Sequence, residues 1–253
     1  MPFVSVIMPA YNAAKTIAES IESVLQQTYT NFELIILNDF SNDETEHIIK
    51  KYMQDMRVVY IKNERNLGVS ETRNKGISIA KGAWIAFLDS DDIWEKNKLQ
   101  KQIELIQSKK DAILCYTASS FMDNEGHRYG YVLRAIKHLP YKTLLKKNLI
   151  SCSSAIVKSD VMKKLKMPGD QMHEDYYSWL TILRRIPYAY GIDEPLIIYR
   201  LSKKSKSSNR FKSASMSYNT YRAIGYSNIS ALYLVLRYAI YSIVKRIRIK
   251  YSR

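Results

Sequence analysis

The chain has 253 residues, 46% of them hydrophobic, enough for one large domain or one domain with an appendage, and too apolar to remain disordered. Two cysteines, Cys115 and Cys152, exclude a disulfide framework and a four-ligand zinc site. The 39 Lys and Arg against 24 Asp and Glu give a formal net charge of +15, which points to a polyanionic partner, either phospholipid or nucleic acid.

The chain opens without a charged leader and a long apolar stretch, since Met1-Pro2 leads straight into the alternating run Phe3–Met8. The expected setting is therefore the reduced cytoplasm. Phe3–Met8 reads as a strand, and residues 14–27 carry Ile17, Ile21, Val24 and Leu25 at helical spacing. Phe32–Asn38 is a second buried strand, followed by a helix over about residues 42–53. A strand at 58–61, a helix at 69–80, a strand at 83–88 and a helix at 96–107 complete four β-α pairs. Such a succession predicts a mainly parallel sheet with helices on both faces.

The second half is less regular. A strand is expected at 112–116, a hairpin or loop over 122–133 around Asp123-Asn124-Glu125-Gly126, and a strand at 153–157 before a helix at 159–165. A helix at 175–185, short strands at 188–192 and 196–199, a Ser/Lys-rich linker at 202–213 and two helices from about Phe211 and Ile229 follow. After Glu194 no acidic residue occurs, and thirteen Lys and Arg do, so a nearly neutral body is followed by a cationic tail.

In parallel α/β sheets ligands bind at the carboxyl ends of the strands, which directs attention to the loops there. Asp89-Ser90-Asp91-Asp92 sets three carboxylates after an apolar strand. Oxygen ligands of this kind suit a hard divalent cation on a diphosphate, although the same residues can make a turn and cap a helix. Asp39 ends the second strand, where a carboxylate can accept from a nucleobase N–H, while Asp43 is read as a helix cap. Gly68 permits close backbone approach, and Arg73 offers a guanidinium to a nucleotide. His173-Glu174-Asp175 opens a helix, and a carboxylate there can serve as a general base or as a cap.

Together these pieces resemble glycosyltransferase family 2, with a GT-A fold and inverting chemistry. The resemblance spans roughly residues 3–200 and rests on Val4–Asn12, Leu37-Asn38-Asp39, Asn66-Leu67-Gly68-Val69-Ser70, Thr72-Arg73-Asn74-Lys75-Gly76, Phe87–Asp92 and His173-Glu174-Asp175. It implies that Pro9, Tyr11 and Asp39 hold uracil, with Asn66, Gly68 and Arg73 at the nucleotide and Asp89 on the ribose side. It further implies that Asp91 binds Mn2+ or Mg2+ and that Asp175 is the base, with Asp92, Glu174 and Arg200 in supporting places. Phe40 replaces a common Gly, and Thr72 a common Ala. The Gln-x-x-Arg-Trp signature of processive synthases is absent, so a single sugar per encounter is expected.

The expected organisation is a GT-A domain over 1–200, with its donor half at about 1–110 and its acceptor and catalytic half at 111–200, followed by basic C-terminal helices at 201–253. Ser227, Asn228, Ser230, Arg237 and Ser242 interrupt residues 223–244, whereas a spanning helix needs about 20 apolar residues. Ile229, Leu232, Tyr233, Leu236, Ile240, Ile243 and Ile247 form one helical stripe beside the basic end from Lys245. These features suit attachment to an anionic membrane surface, at the cytoplasmic face of the inner membrane, although the stripe could instead pack on the core. The implied donor is a UDP-sugar, and the implied acceptor is a polyprenyl-diphosphate-linked saccharide of bacterial surface polysaccharide assembly. Transfer to a polyprenyl monophosphate is the nearer alternative. Nucleic-acid binding is the alternative from a different class, disfavoured by the Asp-rich rim.

Overall fold

The computed structural model describes residues 3–201 and 210–252. Its elements in chain order are β1 Val4–Ala10, α1 Ile17–Leu25, β2 Phe32–Asn38, α2 Thr45–Lys51, β3 Val58–Lys62, α3 Val69–Ile79, β4 Trp84–Phe87, β5 Ile93–Trp94, α4 Lys98–Ser108 and β6 Leu114–Met122. They continue with β7 Arg128–Leu133, β8 His138–Leu139, α5 Tyr141–Leu144, a 3-10 turn Cys152–Ser154, β9 Ile156–Lys158, α6 Ser159–Leu165, α7 Glu174–Leu183, β10 Ala189–Arg200, α8 Arg210–Ile224 and α9 Asn228–Lys250.

The sheet runs β3-β2-β1-β4-β9-β6-β10-β5, with β7 paired to β6 and β8 to β10. The first four β-α pairs lay β3, β2, β1 and β4 side by side and parallel, as their periodicity implies. The chain winds outward from β1 to β3 and then returns to β1's other side as β4. The connections therefore diverge between β1 and β4, and the loops after Ala10 and Phe87 face one crevice. Beyond β4 the sheet is mixed: β9 pairs antiparallel with both β4 and β6, and β6 pairs parallel with β10.

All seven residues of β1 and of β2 are buried, because both faces of these strands are covered. Successive residues point to opposite faces. Ile7, Ile35, Leu37 and Phe87 join one core with the inner faces of α6, α7 and α8. Val6, Met8, Leu34, Ile36 and Leu88 join a second core with α1 and α4. Trp179 of α7 is fully buried, with its ring 6.0 Å from Phe87 at the end of β4. Burying such a side chain stabilises by roughly 1.5–3 kcal/mol, and here it fixes the start of α7 over the crevice.

Three expectations change in detail. The strand expected at 153–157 begins only at Ile156, because Cys152–Ser154 forms a 3-10 turn. The short strands at 188–192 and 196–199 are one strand, β10, whose register against β6 shifts around Pro195. Proline has no N–H for the ladder, so the sequence shows a break where the strand only bulges. The strand expected at 112–116 extends to Met122, and its turn with β7 is the hairpin read at 122–133. Most of the linker at 202–213, and the stretch after Arg200 to Ser208, lie outside the described residues.

α9 begins at the cap Ser227, whose hydroxyl accepts from the backbone N–H of Ser230 at 3.2 Å. The stripe from Ile229 to Ile247 faces outward, its members 49–83% exposed. Among the described residues no helix is long and apolar enough to cross a membrane. The other face of α9 packs inward, with Ala231, Leu234 and Ile249 buried.

Candidate active site

A cavity of about 1280 Å3 opens over the crevice and brings Pro9, Tyr11, Asp39, Asn66, Gly68, Arg73, Asp89, Asp91, Glu174 and Asp175 together, as the sequence expects. It exceeds the usual range of roughly 300–1,000 Å3 for one small ligand, and so has room for two substrates side by side. Asp92 and Arg200 lie behind its wall.

Beside the ends of β1 and β2, Asp39 is buried and receives three hydrogen bonds. They come from the backbone N–H groups of Leu67 at 2.8 Å and Gly68 at 2.9 Å and from Asn63 Nδ2 at 2.9 Å. A carboxylate has about four lone-pair sites, so Asp39 organises the 63–68 loop and keeps one site for a ligand donor. Asn66 Nδ2 donates to the Asp39 carbonyl at 3.2 Å, and Asn63 also donates to Thr72 Oγ1 at 3.0 Å. Thr72 thus has a partner that Ala would lack. Phe40, at the departure from the common Gly, holds φ at +63°, the region a Gly occupies without strain. Asp43 accepts from Thr45 N at 3.0 Å and from Ala14 N at 3.1 Å, so it pins the start of α2 to the loop after β1.

Gly68 has φ +83°, and a Cβ there would meet Asp170 Oδ2 at 2.1 Å. Asp170 accepts from Val69 N at 3.0 Å, Ser70 N at 3.1 Å and Ser70 Oγ at 2.6 Å. Its negative charge suits the amino end of α3. The contact ties the segment leading to α7 against the start of α3 and the 63–68 loop before it.

Arg73 is 3% exposed, and its guanidinium bridges Asp89 and Glu174, reaching the latter at 2.7 Å. It therefore clamps the end of β4 to the start of α7. Asp89 is still 30% exposed to the cavity. Asp92 is buried at 1% and accepts from Ser153 Oγ at 2.6 Å and from Arg200 N at 3.0 Å. Burial, then Asp91 and Asp89, push its carboxyl well above the usual range. Arg200 donates from Nε to the Asp91 carbonyl at 2.9 Å and also pairs with Glu19. Both residues shape the turn that presents Asp91.

Asp91 differs from its neighbours. Among the described residues no donor of another residue reaches its carboxylate. Burial, then Asp89, raise it to about 6. Two carboxylates sharing a site disfavour ionisation, and a divalent cation on them removes that penalty. The oxygen-only donor set fits Mg2+ or Mn2+. Asp123, Glu125 and His127 in the β6–β7 turn also set ligand atoms within 4.8 Å of one another. There the Asp123 carboxylate accepts from the backbone N–H groups of Glu125 and His127, and so shapes the turn.

Asp175 stands in the first turn of α7, where its carboxylate accepts from Tyr176 N at 2.7 Å. Burial, then the adjacent Glu174, raise it to about 7, against the pull of Arg73. A carboxyl poised there exchanges protons near neutral pH.

The wall opposite the strands comes from α9, whose Tyr238, Tyr241, Ser242, Lys245 and Ile249 face the cavity. The sequence reading singled out the apolar stripe and missed this inner face. Its signal is a second helical stripe, in which Tyr241, Ser242, Lys245 and Ile249 follow Tyr238 at offsets of three, four, seven and eleven. Asp170 was missed too, since a lone Asp in a loop carries no periodicity.

Residues 5–165 match the profile of glycosyl transferase family 2. TuaG of Bacillus subtilis strain 168, named for teichuronic acid biosynthesis, is 35% identical over 97% of this chain and 98% of its own. The Escherichia coli UDP-Glc:alpha-D-GlcNAc-diphosphoundecaprenol beta-1,3-glucosyltransferase WfaP is 34% identical over 97% of this chain and 96% of its own. Among solved structures, Staphylococcus aureus TarS 1–349 in complex with UDP-GlcNAc superposes with a TM-score of 0.75 and 19% identity. That match covers 93% of this chain and 70% of TarS, a likeness of GT-A fold. The profile match and the two full-length relatives establish that the chain belongs to glycosyl transferase family 2 and is a glycosyltransferase.

Proposed function

We propose that the enzyme transfers one sugar from a UDP-sugar to a hydroxyl of a polyprenyl-diphosphate-linked saccharide, with inversion at the anomeric carbon, in the assembly of a bacterial surface polysaccharide. The observation that carries this reading is the pairing, in one cavity, of the unsatisfied carboxylate Asp91 with the neutral-range carboxyl of Asp175. The relatives support the acceptor class, since WfaP is named for a diphosphoundecaprenol acceptor.

Pro9, Tyr11 and the open lone pair of Asp39 would hold the uracil, with Asn66 and Gly68 setting the loop around it. Asp91, with Asp89 beside it, would hold Mn2+ or Mg2+, which when bound offsets negative charge on the departing UDP. Arg73 acts from behind, keeping Asp89 and the start of α7 in register. Asp175 takes the proton of the acceptor hydroxyl as that oxygen bonds to the anomeric carbon. The bond from that carbon to the UDP oxygen breaks with its electron pair, and an α-linked donor gives a β-linked product.

The outward stripe and the basic end of α9 support attachment to an anionic membrane surface. Each basic residue near such a surface contributes about 1 kcal/mol, added to apolar insertion. This arrangement would hold the enzyme at the cytoplasmic face, where a lipid-linked acceptor is within reach. The donor half would lie within about 1–110 and the acceptor half within 111–200, with the C-terminal helices closing the acceptor side.

A thermal-shift titration with UDP and Mn2+ tests the donor site. Ligand at about 100 times its dissociation constant adds roughly 2.7 kcal/mol, or on the order of 5–10 °C. The shift should require the metal and vanish in Asp91→Ala. An equal shift in Asp91→Ala, or none in the wild type, removes the assignment.

A further inference from the structure

Lys245 is a cation set inside the cavity wall, not on the outer face of α9. Its ammonium lies 5.8 Å from the centre of the Phe121 ring. Among the described residues no carboxylate comes within ion-pair distance of it; burial, then the neighbouring Arg246, hold it down to about 8. A partly buried cation without a counter-ion marks a place for an anion.

The position along the helix indicates which anion. Tyr238 stands at the catalytic end, its ring 5.9 Å from Tyr176 and 6.0 Å from His173, the residues that flank Glu174 and Asp175. Lys245 follows two turns later, about 10 Å along the axis at 1.5 Å per residue. That separation suits a sugar whose reacting hydroxyl is at Asp175 and whose anomeric phosphate points toward the hairpin. The hairpin itself is tied to the end of α9, since Gly130 N donates to the Ser252 carbonyl at 2.7 Å and Tyr131 N to Ser252 Oγ at 2.9 Å. The donor's diphosphate belongs elsewhere, beside Asp89 and Asp91. Arg248 and Lys250 are exposed and, under the attachment proposed above, are the cations left for a membrane surface.

A smaller apolar groove of about 170 Å3 lies between α8 and α9 and shares Tyr238, Ser242 and Arg246 with the main cavity. Its walls include Ile243 and Ile247, which also belong to the outward stripe. Lys245 itself is not in the groove's lining; the groove meets the main cavity at Tyr238, Ser242 and Arg246 and opens from there toward the apolar face of the helix.

We infer that Lys245 binds the diphosphate of the lipid-linked acceptor, and that the first units of the lipid chain leave through the groove between α8 and α9. The inference rests on the acceptor class proposed above. It makes the C-terminal helix part of the acceptor site as well as the attachment to the membrane.

The test is binding of decyl diphosphate to the full chain, with decyl monophosphate and decanol as controls, in the presence of saturating UDP and Mn2+. The wild type should bind decyl diphosphate at least about tenfold more tightly than decanol, Lys245→Met should lose about that factor, and Lys245→Arg should retain it within about threefold. UDP affinity should be the same in all three proteins, which a merely structural effect of the substitution would not leave intact. In transfer assays Lys245→Met should raise KM for a diphosphate lipid more than it lowers kcat. Decyl diphosphate binding that is insensitive to the charge at 245, or that appears only when UDP is left out, overturns the inference. A failure of the donor reading appears separately, as absent UDP binding.

Discussion

Replacing Asp175 by Asn should stabilise the enzyme while abolishing transfer, and the gain should depend on pH in one direction only. In the fold the carboxyl is raised from 3.8 to about 7, so the folded protein binds this proton more tightly than the unfolded chain. The stability this contributes is fully present below about pH 4 and is lost as pH rises through about 7. Asn keeps the neutral state at every pH. A change of that size in the carboxyl would correspond to about 4 kcal/mol, but the carboxyl faces the open cavity, and solvent screening reduces this to about 1–2 kcal/mol. For a chain of this size that is roughly 3–8 °C. Thermal unfolding of both proteins between pH 4.5 and 8.5 measures it directly. The melting temperatures should converge at the acid end and separate by the full amount near pH 8. Equal separation at both ends, or an Asp175→Asn protein less stable than wild type at pH 8, would refute the raised carboxyl and with it the poised base. The same ionisation predicts that wild-type kcat/KM rises toward a plateau as pH passes about 7, because the base acts in its deprotonated form.

Gly68→Ala should weaken UDP binding and cost on the order of 1–3 kcal/mol, since a Cβ at φ +83° also meets Asp170; chemical denaturation and UDP titration report both. Phe40→Asn should stabilise by about 0.5–1 kcal/mol, because Asn tolerates the left-handed conformation and the Phe ring is 51% exposed; an unchanged denaturation midpoint would contradict this. Leu236→Glu with Ile240→Glu should leave stability within about 0.5 kcal/mol and reduce sedimentation with phosphatidylglycerol vesicles more than about tenfold. Undiminished vesicle binding would return the stripe to a role outside the membrane.

Residues that stand at strand ends were legible in the sequence as lining of the crevice. The runs at β1, β2 and β4 are apolar throughout because both faces of those strands are buried, and their ends then point to Pro9, Asp39 and Asp89 without further knowledge. The identity of each side chain's partner was not legible. Arg73 reads equally well as a nucleotide contact or a surface charge, and only the fold brings Asp89 and Glu174, sixteen and about a hundred residues away, to its two terminal nitrogens. The family resemblance gave Asp92 and Arg200 supporting places at the site, without saying what they touch. Their side chains are spent on backbone groups and on neighbours behind the wall. The outward stripe of α9 was legible as periodicity, but whether it faced core or solvent depended on a second, polar stripe that the eye passes over. That inner stripe makes α9 a wall of the site.

The most direct measurement of the central claim is transfer itself. The purified enzyme is incubated with Mn2+, a panel of UDP-sugars that includes UDP-glucose, and a synthetic acceptor of α-linked N-acetylglucosamine on a lipid diphosphate, and the product is isolated for mass and anomeric coupling. The account predicts addition of one sugar in a β-linkage, lost on chelation of the metal and in Asp175→Asn. An α-linked product, a growing polymer, or full activity in Asp175→Asn would contradict it.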